Sequence, residues 1–546
     1  MQVIAPVEAI FEEAAAALAR LCSVDGKLDA ERLDRRQISS YDLAFAASEL
    51  FAAREMLRST AGAASDLANA FLAQVLPSIL QRLEAIAIAL DCDLRTGAIR
   101  SSPDYVSLQQ QGGGEALAGI GEAIIHDRID FTRIETNMHV DLMRETFFRF
   151  GQDHVAPLAE DIHRHDRDIP DSLLSRLRGM GVFGLSVPAR YDGSAPDDGE
   201  DTLAMIAVTE ALSEASLGAA GSLITRPEIL TRAILAGGTE NQKQHWLPKI
   251  AAGDPLVAIA ITEPDFGSDV ANLSLRGSKV SAGWILNGAK TWCTFAGKAG
   301  VLMVVARTGD AEGHKGLSIM LVEKPPFDGR NFDYRQPSGG RLQGKAIPTM
   351  GYRGMHSFDL SFEDVFVPDA NVLGEAGGLG NGFYYTMSGM TGGRIQTAGR
   401  ACGVMAAAAK AAIRYARDRK VFGKSLGAYQ LTQAKIGAMV ARYVACRHMA
   451  YGVGAMLDKG GGQMETSLAK LYACRSAEIV TREALQIHGG MGYAEESDVS
   501  RYFVDARVLS IFEGAEETLA LKVVARELLQ RAAAGGLALA APTSFP

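Results

Sequence analysis

The apolar residues of this chain change their spacing twice, and that change bounds the fold more tightly than any single motif. From Leu142 to about Ala252 they recur three and four apart, as in VDLMRETFFRFGQDHVAPLAEDI, the spacing of one face of an α-helix. From Leu256 to about Leu373 they fall into short runs, LVAIAI, GWILNG, VLMVVART, GLSIMLVE and FDLSFEDVFVP, separated by Gly, Asp or Pro. Helical spacing then returns from Phe383 to about Arg531, with a break from Lys459 to Gly462. Strands segregated from helices define an α+β class: an antiparallel β domain between two helical domains.

A further helical block precedes these three. FEEAAAALARLC, DLAFAASELFAAREMLRS and ANAFLAQVLPSILQRLEAIAIAL again space apolar residues three and four apart. The stretch CDLRTGAIRSSPDYVSLQQQGGGEAL, with Pro103, three glutamines and Gly112 to Gly114, breaks every period and reads as a linker. The expected organisation is an N-terminal helical extension and linker over 1–130, a helical domain over 131–255, a β domain over 256–373 and a C-terminal four-helix bundle over 374–535. Thr239 stands three residues before Gln242, the spacing of a capping box. GEAGGLGNG reads as a connecting loop and the tail GGLALAAPTSFP as frayed.

Composition excludes whole classes. A chain of 546 residues is long enough for three or four domains. Its 55 basic and 64 acidic residues give −9 with the signs interleaved, which argues against nucleic acid as a partner. Six widely scattered cysteines form no disulfide framework and fit a reducing, cytoplasmic setting. The N-terminus carries acids before any apolar run, unlike a signal peptide, and no uninterrupted apolar stretch reaches about 18 residues, so no membrane span is expected.

Most short motifs have bland readings. GMGVFG, with Gly179, Gly181 and Gly184, follows a helical segment rather than a strand, and so reads as a helix end instead of a dinucleotide site. His163 and His165 in DIHRHDRD match no metal spacing and read as a solvated helix end; HExxH and GxSxG are absent. Three constellations resist that treatment. ITEPDFGSD offers Thr262, Glu263, Gly267 and Ser268 at a Gly-permitted turn leaving a strand. NGAKTWCTFAG places Trp292 and Thr294 on one face of a strand, a ring beside a hydrogen-bond donor. RDRKVFGKSL and LQIHGGMGY place an arginine and paired glycines where backbone and guanidinium can meet phosphate. Glu513 in LSIFEGAEETLA stands between Phe512 and Gly514, an apolar setting suited to a general base.

Together TEPDFGSD, KTWCTFAG, RDRKVFGKSLGAYQ with QIHGGMGY, and FEGAEE resemble the acyl-CoA dehydrogenase family, in the family's order, over about residues 135–531. The resemblance implies a non-covalent FAD held between the β domain and the C-terminal helices. It also implies an acyl-CoA substrate, an electron-transferring flavoprotein as acceptor, and a homo-oligomer, read here as a homodimer. By position, Thr262 and Thr294 are expected to bond the flavin ring, Trp292 to pack beside it, and Ser268 to lie between flavin and acyl-CoA. Arg419, Phe422 and Gln430 are expected at the FAD diphosphate and adenosine across the dimer, with Gln486, Gly489 and Gly490 as the other half. Glu513 matches the base, with Gly514 against the substrate. Arg394 in TGGRIQ matches an arginine beside the pocket; the residue before it, Gly393, removes the alternative base position of another branch. Ala515 and Glu517 depart from the family's usual Thr and Gln at positions that contact FAD.

The extension, the WCTFAG and FEGAEE variants and a two-glycine TGGR loop resemble a branch acting on a branched, carboxylate-bearing acyl-CoA. Arg226 and Arg232 in SLITRPEILTR are candidates for its carboxylate. Competing readings are an acyl-CoA oxidase, a nucleic-acid-binding flavoprotein with vestigial activity, and an extension that docks a partner instead of packing on its own chain.

Overall fold

The computed structural model describes residues 3–58 and 64–536; the end of the tail, read above as frayed, lies outside them. The chain forms two compact units, one of residues 1–143 with 397–546 and one of residues 144–396.

The extension supplies α1 (Ile4–Cys22), α2 (Gln37–Arg58), α3 (Ala64–Leu90), α4 (Pro103–Gly112) and α5 (Gly114–Ile125). The stretch read as a linker is therefore helical. Its apparent breakers have other jobs: Ser102 caps α4 by accepting from the Tyr105 N–H with Pro103 in the first turn, where a missing N–H costs nothing. A Cβ on Gly112 would stand 2.0 Å from the Asn69 carbonyl oxygen, so this glycine lets α4 close on α3. By length and composition α3 could cross a membrane, but half of its apolar stretch is buried within the fold.

In the second unit, α6 (Met138–Phe150) enters from the first, followed by α7 (Ala156–Arg164), α8 (Asp171–Gly179), α9 (Thr202–Ala215), α10 (Thr225–Gly237) and α11 (Glu240–Ala252). Gly179 ends α8 and Gly181 takes φ +71°, a helix end as expected. Thr239 and Gln242 form the capping box at α11. His163 is buried rather than solvated, His165 pairs with Asp161, and no cluster among the described residues could hold a metal ion.

Eight strands follow: β1 (Val257–Ala260), β2 (Arg276–Val280), β3 (Gly283–Thr294), β4 (Val301–Arg307), β5 (Leu317–Glu323), β6 (Asn331–Arg335), β7 (Arg341–Ile347) and β8 (Ser357–Pro368). They form one sheet in the order β1-β4-β2-β3-β8-β7-β6, with β5 on β4. The sheet is mixed rather than wholly antiparallel, because β1 runs parallel to β4. The run VLMVVA explains why β4 is central: Val301, Met303 and Val305 pack towards α10 and α11 through Ile229, Ile234, Trp246 and Leu247, while Leu302 and Val304 face the other core with Leu342 and Phe358. A strand buried on both faces must be apolar at every position, not alternately. Each such side chain contributes about 2 kcal/mol of burial.

The last helices are α12 (Gly382–Asp418), α13 (Gln430–Leu457), α14 (Gln463–His488), α15 (Asp498–Leu509) and α16 (Arg526–Ala533). TGGR is helical, inside α12, not a loop. From Ile436 to Leu457 every residue of α13 except Ala438 and Arg442 is buried. A helix apolar on all sides must be covered on all sides, and α13 packs against α14 and against α2, α3 and α5 of the extension. The extension thus layers onto its own chain's C-terminal helices.

Candidate active site

The sequence placed its candidates on both compact units, and each half has its own geometry. In the 144–396 unit, the loop TEPDFGSD lies beside β3, the Thr291 N–H donating to the Thr262 carbonyl at 2.8 Å. Glu263 fixes the loop. It is 3 % exposed and accepts from the Ser274 N–H (2.7 Å), the Ser274 hydroxyl (2.6 Å), the Leu275 N–H (2.9 Å) and Lys290 Nζ (2.8 Å), which also donates to the Ile261 carbonyl. Burial works to raise the Glu263 carboxyl, but the ammonium beside it and these donors prevail and hold it below the usual carboxylate range. Glu263 is thus a structural anchor rather than a surface ligand. Its partner Lys290, just before the Thr-Trp pair, escaped the sequence reading; the signal was a lysine at an inward position of β3.

Trp292 occupies a bulge. Between the pairs Phe358–Cys293 and Leu360–Lys290, β3 carries two residues against one on β8. Trp292 takes φ +56°, a strained conformation for a bulky side chain, and is 56 % exposed while Cys293 is fully buried. The simple alternation read from sequence is broken here, and the bulge is what presents the indole. Thr294 bonds the Ser357 hydroxyl at 2.8 Å. The Thr262 hydroxyl bonds no other described residue, and Ser268 is exposed beyond it. An exposed indole with hydroxyls on neighbouring segments suits a flat ring with polar edges.

The arginine candidates differ. Arg232 is matched by Glu228 (2.9 Å) and Glu200, so it carries no spare charge. Arg226 is 6 % exposed; it donates to the Ser222 carbonyl, to Tyr352 Oη at 2.9 Å and to Met355 Sδ, with no carboxylate partner among the described residues. Arg394 is half-buried on α12.

In the other unit, Glu513 lies on the loop between α15 and a short helical turn beginning at Glu516. Its φ is +56° and that of Gly514 is +101°, so two successive residues turn left-handed. The loop is held at several points. Glu516 N–H donates to the Ser510 carbonyl (3.1 Å), closing the loop on itself. Lys470 Nζ, from buried α14, donates to the Gly514 carbonyl at 2.6 Å. Arg400, fully buried on α12, lies 4.0 Å from Glu513 and 4.7 Å above the Phe512 ring. Glu513 itself keeps 13 % of its side chain exposed. Lys470 and Arg400 were missed because each is one polar residue in a helical pattern, and only packing aims it at the loop.

The remaining candidates, Arg419, Phe422, Gln430, Gln486, Gly489 and Gly490, are all exposed. Arg419 and Phe422 belong to a hairpin between α12 and α13, with Gln430 opening α13 and the other three at the end of α14. Tyr415 stacks on His488 at 4.2 Å and joins these helix ends. Glu517 is exposed and Ala515 half-buried beside the Glu513 loop.

The fold is α+β, with an exposed indole beside hydroxyls in one unit and, in the other, a carboxylate on a loop of left-handed residues. The chain belongs to the acyl-CoA dehydrogenase family: its N-terminal domain model matches residues 138–254, its middle domain 258–365 and its C-terminal domain 380–529. A (2S)-methylsuccinyl-CoA dehydrogenase of Cereibacter sphaeroides is 36% identical, covering 96% of both chains. The structure of butyryl-CoA dehydrogenase from Megasphaera elsdenii is similar with a TM-score of 0.67 and 30% identity, covering 73% of this chain and 100% of that one. So is that of a glutaryl-CoA dehydrogenase from Mycobacterium smegmatis in complex with FADH2, with a TM-score of 0.63 and 25% identity over 74% of this chain and 96% of that one. The activity is acyl-CoA dehydrogenation, and members of the family use FAD.

Proposed function

We propose that this chain oxidises (2S)-methylsuccinyl-CoA to mesaconyl-CoA with a bound FAD, Glu513 taking the α-proton. FAD supplies the acceptor for the hydrogen that leaves the β-carbon with two electrons. Thr262, Thr294 and Trp292 suit its ring, with Ser268 at the turn beyond. Arg419, Phe422, Gln430, Gln486, Gly489 and Gly490 suit its diphosphate and adenosine, with Ala515 and Glu517 beside them. Phe422, 98 % exposed, supports a site completed by a second copy, since so large a ring is otherwise left in water. Glu513, with Gly514 beside it, is a partly shielded carboxylate on a fixed loop, the geometry a general base requires.

The observation that carries the substrate is Arg226: a buried guanidinium without a carboxylate partner among the described residues is costly unless an anion arrives. The relative that spans the extension as well as the catalytic domains supports the same reading. Arg394 serves beside the acyl group; Arg232, already twice paired, serves by holding Glu228. Electrons leave to an electron-transferring flavoprotein, in the cytoplasm.

The test is anaerobic addition of acyl-CoA thioesters to the purified protein while flavin absorbance is followed, with Glu513→Gln and Arg226→Ala alongside. Bleaching by (2S)-methylsuccinyl-CoA, lost in Glu513→Gln, supports the reading. Bleaching by straight-chain thioesters alone overturns the substrate, and an unchanged dicarboxylyl to monocarboxylyl rate ratio in Arg226→Ala overturns its role. An acyl-CoA oxidase would instead release stoichiometric peroxide under air.

A further inference from the structure

The extension does more than cover helices. Tyr41, on α2, donates its hydroxyl to Glu516 Oε1 at 2.5 Å. Arg475, on α14, donates to Tyr41 Oη at 2.7 Å and pairs with the same Glu516 carboxylate. Its guanidinium also lies 4.4 Å over the ring of Phe45, one turn along α2, whose ring packs against that of Tyr41 at 4.8 Å, tilted by 43°. One carboxylate is thus gripped by a phenol and a guanidinium that also bond each other, a closed three-membered network. Burial, and then the hydrogen bond to Glu516, push the Tyr41 phenol up to about 12, so it stays a donor through the working pH range. Glu516 is the residue whose N–H closes the loop onto Ser510, and Glu513 sits inside that loop in a left-handed conformation that needs external support.

We infer that Tyr41 is a positioning residue for catalysis: through Glu516 and Arg475, the N-terminal extension braces the loop that aims Glu513. The inference rests on Glu513 being the base. Misplacing a base by a fraction of an ångström slows proton removal while leaving thioester binding alone.

Full-length holoenzyme is mixed anaerobically with (2S)-methylsuccinyl-CoA, or with butyryl-CoA if that thioester fails to bleach the flavin, each unlabelled and deuterated at the α-carbon. Tyr41→Phe is expected to lower the limiting rate of flavin reduction about tenfold. Its α-deuterium isotope effect should rise, and the half-saturating thioester concentration should stay within about twofold. Phe51→Leu, a buried α2 position away from the network, should lower the melting temperature but keep the wild-type rate and isotope effect. A Tyr41→Phe enzyme with wild-type rate and isotope effect overturns the inference, as does an equal loss in Phe51→Leu, which would mean only general stability. Glu513→Gln separates the two readings: if it still exchanges the α-proton, the base assignment falls; if it does not while Tyr41→Phe is unaltered, only the brace falls.

Discussion

The guanidinium of Arg400 lies 4.0 Å from the carboxylate of Glu513, on a side chain with no solvent exposure. It donates to Thr397 Oγ1 at 2.6 Å and covers the face of Phe512, so its orientation is set from two sides. Replacing it with Leu removes the cation facing the base and should slow flavin reduction by about tenfold to a hundredfold, at a stability cost of about 3 kcal/mol. Lys should not restore the rate, because a point charge on a flexible stem cannot copy a guanidinium stacked on a ring. Stopped-flow bleaching and urea unfolding check both.

Glu263→Gln leaves Lys290 buried beside a neutral amide and should cost about 3 kcal/mol at pH 7. The sign with pH follows from the folded carboxyl lying below its unfolded value. Its stabilisation is fully present above the unfolded carboxylate range, near pH 4.3, and is lost as pH falls through the lower folded value. The gap between wild type and variant should therefore be widest near neutrality and shrink below about pH 4. Urea midpoints at several pH values measure it.

Gly121 and Gly437 let α5 and α13 approach until backbones touch. A Cβ on Gly121 would stand 1.8 Å from the Gln433 carbonyl oxygen, and one on Gly437 2.6 Å from the Leu117 carbonyl oxygen. These are backbone atoms, so no rotamer relieves the clash. Gly121→Ala should cost about 2–3 kcal/mol and expose the extension to limited proteolysis before the β domain.

Trp292→Gly should separate protein stability from cofactor binding. Glycine accepts φ +56° without strain, so the apo-protein should keep its stability to within about 1 kcal/mol despite losing an indole. Loss of the exposed ring should weaken FAD binding about tenfold, as titration followed by flavin fluorescence would show.

Period and punctuation made the element types legible: β4 reads as a strand from the short run VLMVVART, and α11 announces its start with a capping box. Local rules failed where a residue's job is set at a distance. Pro103 and Gly112 read as breakers, yet one opens a helix and the other fits against Asn69. Trp292 read as one face of a regular strand, but a bulge fixed by pairing with β8 turns it outward. Thr262, Trp292 and Glu513 could be named from their motifs because short stretches of chain carry them.

The sequence by itself determined the succession of helical and β segments and the chemistry-bearing residue types, since periodicity and turn chemistry act over a few residues. Only the tertiary structure decided which charges stand beside them. Arg400, Lys470, Arg475 and Tyr41 come from helices as much as 475 residues from the loop they hold. No local pattern encodes a contact that exists only once a buried helix has been covered on every side, because the cost of an unpaired buried charge is felt only after that burial is complete.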